Sequence, residues 1–310
     1  MNYLGEILSL GVAFSWTMAA LSSEVASKKF GVALTNVWRM LLAFVFTMLL
    51  MWIFTGEALP VYADQKAWGL LLLSGFIGYF LGDWCLFNSY LTIGSRFGQL
   101  FMTLAPMFAA ISAWVFIGQT MTWLNLLAMA VTMLGIAISI LNKGEGNTVS
   151  LQLPVKGVLY GIGAGMGQGV GLVISKMGLD AYTANVPTAV LPHIEHYLPF
   201  SANMIRCLAG LVCYSLWLVA SRQSHRLSEP LHFNKGTLAL LVAVFSGPVI
   251  GVGFSLMAVQ YTAAGIASTL MATTPIIILL PSHYLFHQKI TFKVVIGAVI
   301  SVIGVSLFFL

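Results

Sequence analysis

Asp83 is the residue of this sequence best placed to do chemistry. It is the lone acid in the run Tyr79-Phe-Leu-Gly-Asp83-Trp-Cys-Leu-Phe-Asn88. A charge at the centre of a membrane helix costs about 2.5–3.5 kcal/mol on insertion scales, so it must face a cavity or a cation. One reading makes Asp83 a ligand for an amine, or a carboxylate that carries protons. The other makes it half of a structural ion pair with Arg39, Arg206 or Lys176. Arg39 and Arg206 could together clamp an anion, or brace carbonyls and helix ends. Trp16 and Gln168 are apolar-run residues with polar edges, and a buried glutamine needs partners. They are expected to line a cavity. Pro106, Pro275 and Pro248 interrupt apolar runs. A mid-helix proline removes a hydrogen bond and bends the helix, which makes all three hinge candidates. Gln99 and Thr103 lie near the first, Ser268, Thr273 and Thr274 near the second. These are cavity-lining candidates, although most such hydroxyls bond back to their own helix.

Metal chemistry finds little support. His193 and His196 flank Glu195, and His283 and His287 are four apart, but neither pair has a third ligand in a recognisable pattern. Cys85, Cys207 and Cys213 sit in apolar runs and read as small buried hydrophobes. No metal and no cofactor is expected. There is no glycine-rich loop ending in Gly-Lys-Ser/Thr, so an ATP-driven pump within this chain is not expected.

The elements that hold these residues follow from composition. The chain is 59% hydrophobic and 7% charged, against about 25% charged in an ordinary soluble domain. Such a chain cannot cover its own surface with polar groups, so lipid is its solvent. The net charge of +5 then reports orientation rather than nucleic-acid binding. The run starting at Tyr3 has no basic segment before it, so no cleavable signal is expected. A spanning helix needs roughly 20 apolar residues. Ten such stretches occur, at 3–25, 34–55, 67–91, 96–117, 122–141, 155–176, 201–220, 236–260, 265–286 and 291–310.

These stretches form two copies of one unit. An offset of 169 places Met102 on Met271, Pro106 on Pro275, Gln119 on Gln288, Gly135 on Gly304 and Leu141 on Leu310. It also places Gly78 on Gly247 and Gly82 on Gly251. An offset of 167 places Asn36 and Arg39 on Asn203 and Arg206. An offset of 152 places Trp16 on Gln168 and Glu24 on Lys176. Residues 1–143 are therefore one five-helix repeat and 154–310 a second, with an inserted proline-rich loop at 177–200. Five is odd, so the second copy enters the membrane from the opposite side. The fold class is an all-α polytopic membrane protein with ten transmembrane helices in two inverted repeats.

Two finer expectations concern packing. Gly157, Gly161, Gly165 and Gly169 form one row on the sixth helix, and Gly163, Gly167 and Gly171 a second row, so neighbours can approach on two faces. Glu24 and Lys176 are expected to snorkel to the interface. Basic residues gather after the odd-numbered helices (Lys28, Lys29, Arg96, Lys143, Lys156, Arg222, Arg226, Lys235, Lys289 and Lys293), against Lys66 and Lys176 on the other side. That bias would put both termini outside.

The repeated layout resembles the EamA domains of the drug/metabolite transporter superfamily. The resemblance rests on a proline helix, a Gly-Gln-x-x-Thr-type corner and a helix with a late glycine, plus Trp16 and Arg39, and it covers nearly the whole chain. Gln119 and Gln288 stand where such domains usually carry Glu. The resemblance implies cytoplasmic termini, against the charge bias, and a secondary transporter of small metabolites, often an exporter. The expected partners are a small solute and the lipid bilayer, with proton coupling through Asp83 and a monomeric or homodimeric state. The expected location is the plasma membrane, in bacteria the inner membrane. An amino-acid-like or other small amphipathic solute suits the aromatics and the acid; an anion suits the arginines. The alternatives are a membrane-embedded enzyme or a flippase for lipid-linked substrates. An enzyme would need a Ser–His, paired-Asp or metal constellation within the helices, and only one central acid is present.

Overall fold

The computed structural model describes residues 3–143, 149–151, 153–262, 264–287 and 290–309. Gln288, Lys289 and Leu310 lie outside the described residues. Among the described residues the regular structure is helical apart from a small antiparallel hairpin, β1 (Leu141–Lys143) with β2 (Val149–Leu151), which lies between the two halves.

Ten helical arms follow in order. The first repeat holds α1 (Leu4–Phe30), α2 (Val32–Thr55), α3 (Gln65–Ile93), α4 (Ser95–Ile117) and α5 (Trp123–Ile140). The second holds α6 (Val155–Asn185), α7 (Leu198–Ala220), α8 (235–261), α9 (264–286) and α10 (Phe292–Leu307). Among the described residues eight helices are long and apolar enough to cross a membrane, or nine if the bent pair Ser224–Leu231 and Lys235–Gly251 is one span. The last arm, α10, has only 16 residues. Side chains such as Ile53, Leu216 and Ile7 stand outward and more than half exposed, as lipid-facing residues do.

Polar residues set the arm boundaries. Asp64 accepts the Ala67 N–H at 2.8 Å and starts α3. Thr122 and Asn125 form a reciprocal cap on α5, and Asn234 accepts from Gly236 and Thr237 to start α8. Single glycines with positive φ, Gly31 and Gly94, join α1 to α2 and α3 to α4. Only glycine takes that conformation cheaply.

The pairing of arms displays the repeat. Helix α1 packs along α8 and α9, while its counterpart α6 packs along α3 and α4. The first helix of each half is thus exchanged into the other half. Helices α2 and α7 pair with each other, as do α5 and α10. The α5–α10 seam is self-complementary. Ser301 and Thr132 are repeat mates, as are Gly135 and Gly304. A Cβ on Gly135 would collide with Ser301, and one on Gly304 with Thr132. Reciprocal contacts of this kind are what a pseudo-two-fold axis between the halves produces.

Both glycine rows of α6 are used as the sequence spacing suggests. Gly161, Gly165 and Gly169 lie against Phe101, Leu104, Ala105 and Ala109 of α4. Gly167 and Gly171 lie against Gly82 and Gly78 of α3, and Ser74 Oγ donates to Gly171 O at 2.7 Å.

Two expectations change. The segment 177–200 is not a loop throughout. Helix α6 continues to Asn185, because Gly178 and the buried Tyr182 keep its inner face on Leu71 of α3. After a turn at Pro187, Ile194 and Leu198 close the same apolar cluster. Glu24 does not snorkel. It is 1% exposed, pairs with Lys28 at 2.5 Å and accepts the Ser95 N–H at 2.7 Å. Its carboxylate satisfies an orphan donor at the positive end of α4, where the capping residue Gly94 has no side chain to do so. Lys176 stands exposed on α6.

The close α3–α6 approach gives a direct test. A Cβ on Gly167 would lie 2.6 Å from the Gly82 Cα, whereas one on Gly69 meets nothing within 4 Å. Gly167→Val should destabilise the purified protein by about 1–3 kcal/mol, the usual cost of overpacking. Gly69→Ala should leave its thermal unfolding unchanged or slightly raised. Equal melting curves for the two variants would contradict the packing.

Candidate functional site

The regular helix of α3 fails over Phe76–Gly82, where seven residues take the wider π-helical winding. The same occurs in α8 over Phe245–Gly251. These segments differ by the repeat offset of 169. Pro248 lies inside the second, whereas the matching position of the first is Tyr79, so proline alone does not cause the widening. A π segment leaves carbonyls misaligned with the donors of the following turn, and such segments concentrate at functional sites.

Side chains from the opposite half take up those carbonyls. Gln168 of α6 donates from its amide to Gly78 O at 3.2 Å and to Asp83 Oδ1 at 2.8 Å. Tyr214 of α7 donates into Tyr79 O (3.0 Å) and Phe80 O (2.9 Å). In the second half, Ser15 of α1 donates to Ser246 O at 2.6 Å, and the Trp16 indole lies against Gly251. The mates Trp16 and Gln168 therefore each lie against the π segment of the other repeat, Gln168 as a donor and Trp16 by packing.

Asp83 follows the first π segment and is 2% exposed. Arg39 Nη1 donates to its Oδ2 at 2.5 Å, and also to Asn36 Oδ1 at 3.2 Å. The Arg39 guanidinium lies 5.2 Å from the Phe87 ring centre. Among the three cations the sequence offered, Arg39 is thus the partner. Arg206 sits differently. It lies 4.4 Å from the centre of the Tyr79 ring, its Nε is buried, and Nε has no hydrogen-bond partner among the described residues. The Tyr79 hydroxyl donates to Asn203 Oδ1, which holds the ring beneath the guanidinium.

These groups border a cavity of about 560 Å³ walled by nine of the arms, all but α5. Trp16, Arg39, Asp83, Gln99, Thr103, Gln168, Arg206 and Ser268 lie in its wall, as do Pro106, Pro248 and Pro275. Thr273 does not; Thr274, one position on, takes the place in the wall. Successive helical residues point about 100° apart, and the Thr273 hydroxyl is turned back on Leu270 O at 2.6 Å. Thr103 and Thr274 also bond back, to Leu100 O and Met271 O. Met271 O is the carbonyl that Pro275 cannot serve, so Thr274 repairs that break. Gln99 donates to the Tyr90 hydroxyl at 2.7 Å.

Sequence reasoning passed over several wall residues: Met40, Phe87, Tyr90, Cys207 and Phe309. Met40 and Cys207 hold matching positions next to the paired arginines, and that offset of 167 was the signal available for them. Gln119 is exposed at its corner and away from the cavity. The histidines stand apart from the cavity: His193, His196, His283 and His287 are all exposed.

Two interlocked repeats of apolar helices around one partly polar cavity are the architecture of a membrane carrier for small molecules. The sequence agrees. Residues 3–141 and 155–310 match the model of the EamA-like transporter family. The chain belongs to that family and is a multi-pass membrane transporter of the drug/metabolite type. A solved structure, described only as the crystal structure of a protein, shares the fold with a TM-score of 0.59. The alignment covers 99% of this chain and 96% of the other at 14% identity. The sequence matches none of the curated proteins.

The buried pair gives the second test. Leaving one member of such a pair unpartnered costs about 3–5 kcal/mol, whereas apolar replacement of both is often neutral. Asp83→Leu and Arg39→Met should each lower the melting temperature of the purified protein strongly. Arg39→Met combined with Asp83→Leu should recover most of the loss. Simple additivity of the losses would show that the pair does not act as a unit.

Proposed function

We propose that this chain is a secondary transporter that moves a small amphipathic metabolite across the plasma membrane, in the direction of export, by alternating access. The observation that carries the reading is the position of the 560 Å³ cavity between the two repeats, bordered by both π segments and all three breaking prolines. Volumes of about 300–1,000 Å³ suit small-molecule ligands. A site between repeats can be opened to either face by rocking one set of helices against the other. The joints for such rocking are at hand. Helix α4 breaks at 103–104 and α9 at 272–273, each just before its proline, and positions 103 and 272 again differ by the repeat offset.

A comparison of all small metabolites inside and outside cells that overexpress or lack the protein tests this. Export should lower the intracellular level of one chemical class in overexpressing cells by several-fold and raise it outside, and deletion should do the reverse. Trp16→Ala, which removes the largest ring of the α1 wall, should reduce the effect. Unchanged metabolite pools in both strains would contradict the reading.

A further inference from the structure

Three charged side chains face the cavity among the described residues: Arg39, Asp83 and Arg206. Arg39 and Asp83 neutralise one another at 2.5 Å, and Gln168 takes up the second carboxylate oxygen. The acid that a substrate amine would need is already occupied. Arg206 makes no ion pair among the described residues, and its buried Nε lacks a hydrogen-bond partner. The cavity therefore holds one uncompensated positive charge, on a guanidinium fixed over the Tyr79 ring. A planar guanidinium with free N–H groups in a low-dielectric site is a receptor for a carboxylate. The rest of the wall is apolar, with Trp16, Met102, Leu172, Met271 and Phe309 around the same space.

We propose that the site selects small organic monoanions, with the carboxylate on Arg206 and an apolar body against Trp16 and the methionines. The assignment deepens the transport reading and rests on it. It makes Arg206 the specificity residue, and it makes Arg39, its repeat mate, a positioning residue that holds Asp83 out of the substrate's way. Charge matching disfavours amines, because an ammonium would meet Arg206 with Asp83 already bound.

The test uses the purified full-length protein and near-isosteric probes: 3-phenylpropionate, 3-phenylpropionamide and 3-phenylpropylamine, with shorter monocarboxylates down to butyrate. The carboxylates should raise the melting temperature in a saturable way; the amide and the amine should not. Arg206→Gln should abolish the shift. Arg206→Lys, which keeps the charge but loses the planar fork, should weaken apparent affinity by about tenfold and covers the case in which the glutamine variant fails to fold. Stabilisation by the amine, a shift that survives Arg206→Gln, or no shift with any monocarboxylate of the series would overturn the assignment. Efflux of the same probes from proteoliposomes is read separately. Binding without efflux would leave the anion site standing and remove the transport reading. Efflux of the amine alone would keep transport and remove the anion assignment.

Discussion

The reciprocal contact between each half's first helix and the other half's π segment is the constraint on which the rest depends. A π segment within lipid is tenable only if its displaced carbonyls find donors, because no water is there to supply them. Gln168 and Tyr214 supply donors to Gly78, Tyr79 and Phe80, and Ser15 supplies one to Ser246. The donors come from the opposite repeat in the α6–α3 and α1–α8 contacts, so neither half is complete alone. The exchange of α1 and α6 follows from that need, and so does the glycine lining of α6. The side-chain amide of Gln168 reaches Gly78 because Gly167 and Gly171 let the α3 backbone come close.

The same contact sets the electrostatics of the cavity. Gln168 bridges the π segment and Asp83, and so fixes the carboxylate where Arg39 can meet it. Once that pair is closed, the second arginine has no acid left. Asymmetry between the repeats thus produces a binding surface from a symmetric frame: a neutralised Arg39 on one side, an open Arg206 on the other, an indole where the other half has an amide. At the rim, Glu24 ties α1 to the start of α4, while Lys28 stacks over Phe286 at the end of α9. The exchanged helix is therefore in touch with both of the broken arms that would have to move.

Much of this was legible in the residues. The span positions came within a few residues at most ends, since a run of apolar residues in lipid has few choices besides a helix. The repeat offset placed Trp16 against Gln168 and Pro106 against Pro275, and these residues do share one cavity. The glycine rows gave both packing faces of α6. Other features carried no local signal. Phe76–Gly82 has an ordinary helical composition, and only the matched glycines 78/247 and 82/251 marked the segment. Which cation would take Asp83 depends on distances between α3 and α2, α6 and α7 that sequence does not encode. Glu24 looked like an interfacial residue because its partner, the Ser95 N–H, is a backbone group that no side-chain pattern announces. The extension of α6 to Asn185 was hidden by Lys176 and Asp180, which read as the end of a span but sit on its exposed face.

Alternating access around a shared cavity is tested most directly by chemical accessibility of the wall. Ser268, half-buried on α9, can be replaced by cysteine in a chain with Cys85, Cys207 and Cys213 changed to alanine, and reacted with a membrane-impermeant thiol reagent in oriented vesicles. If the two halves rock around this site, the thiol reacts from either face, and a bound carboxylate slows the reaction from both. Reaction from one face only, under every condition, would contradict it.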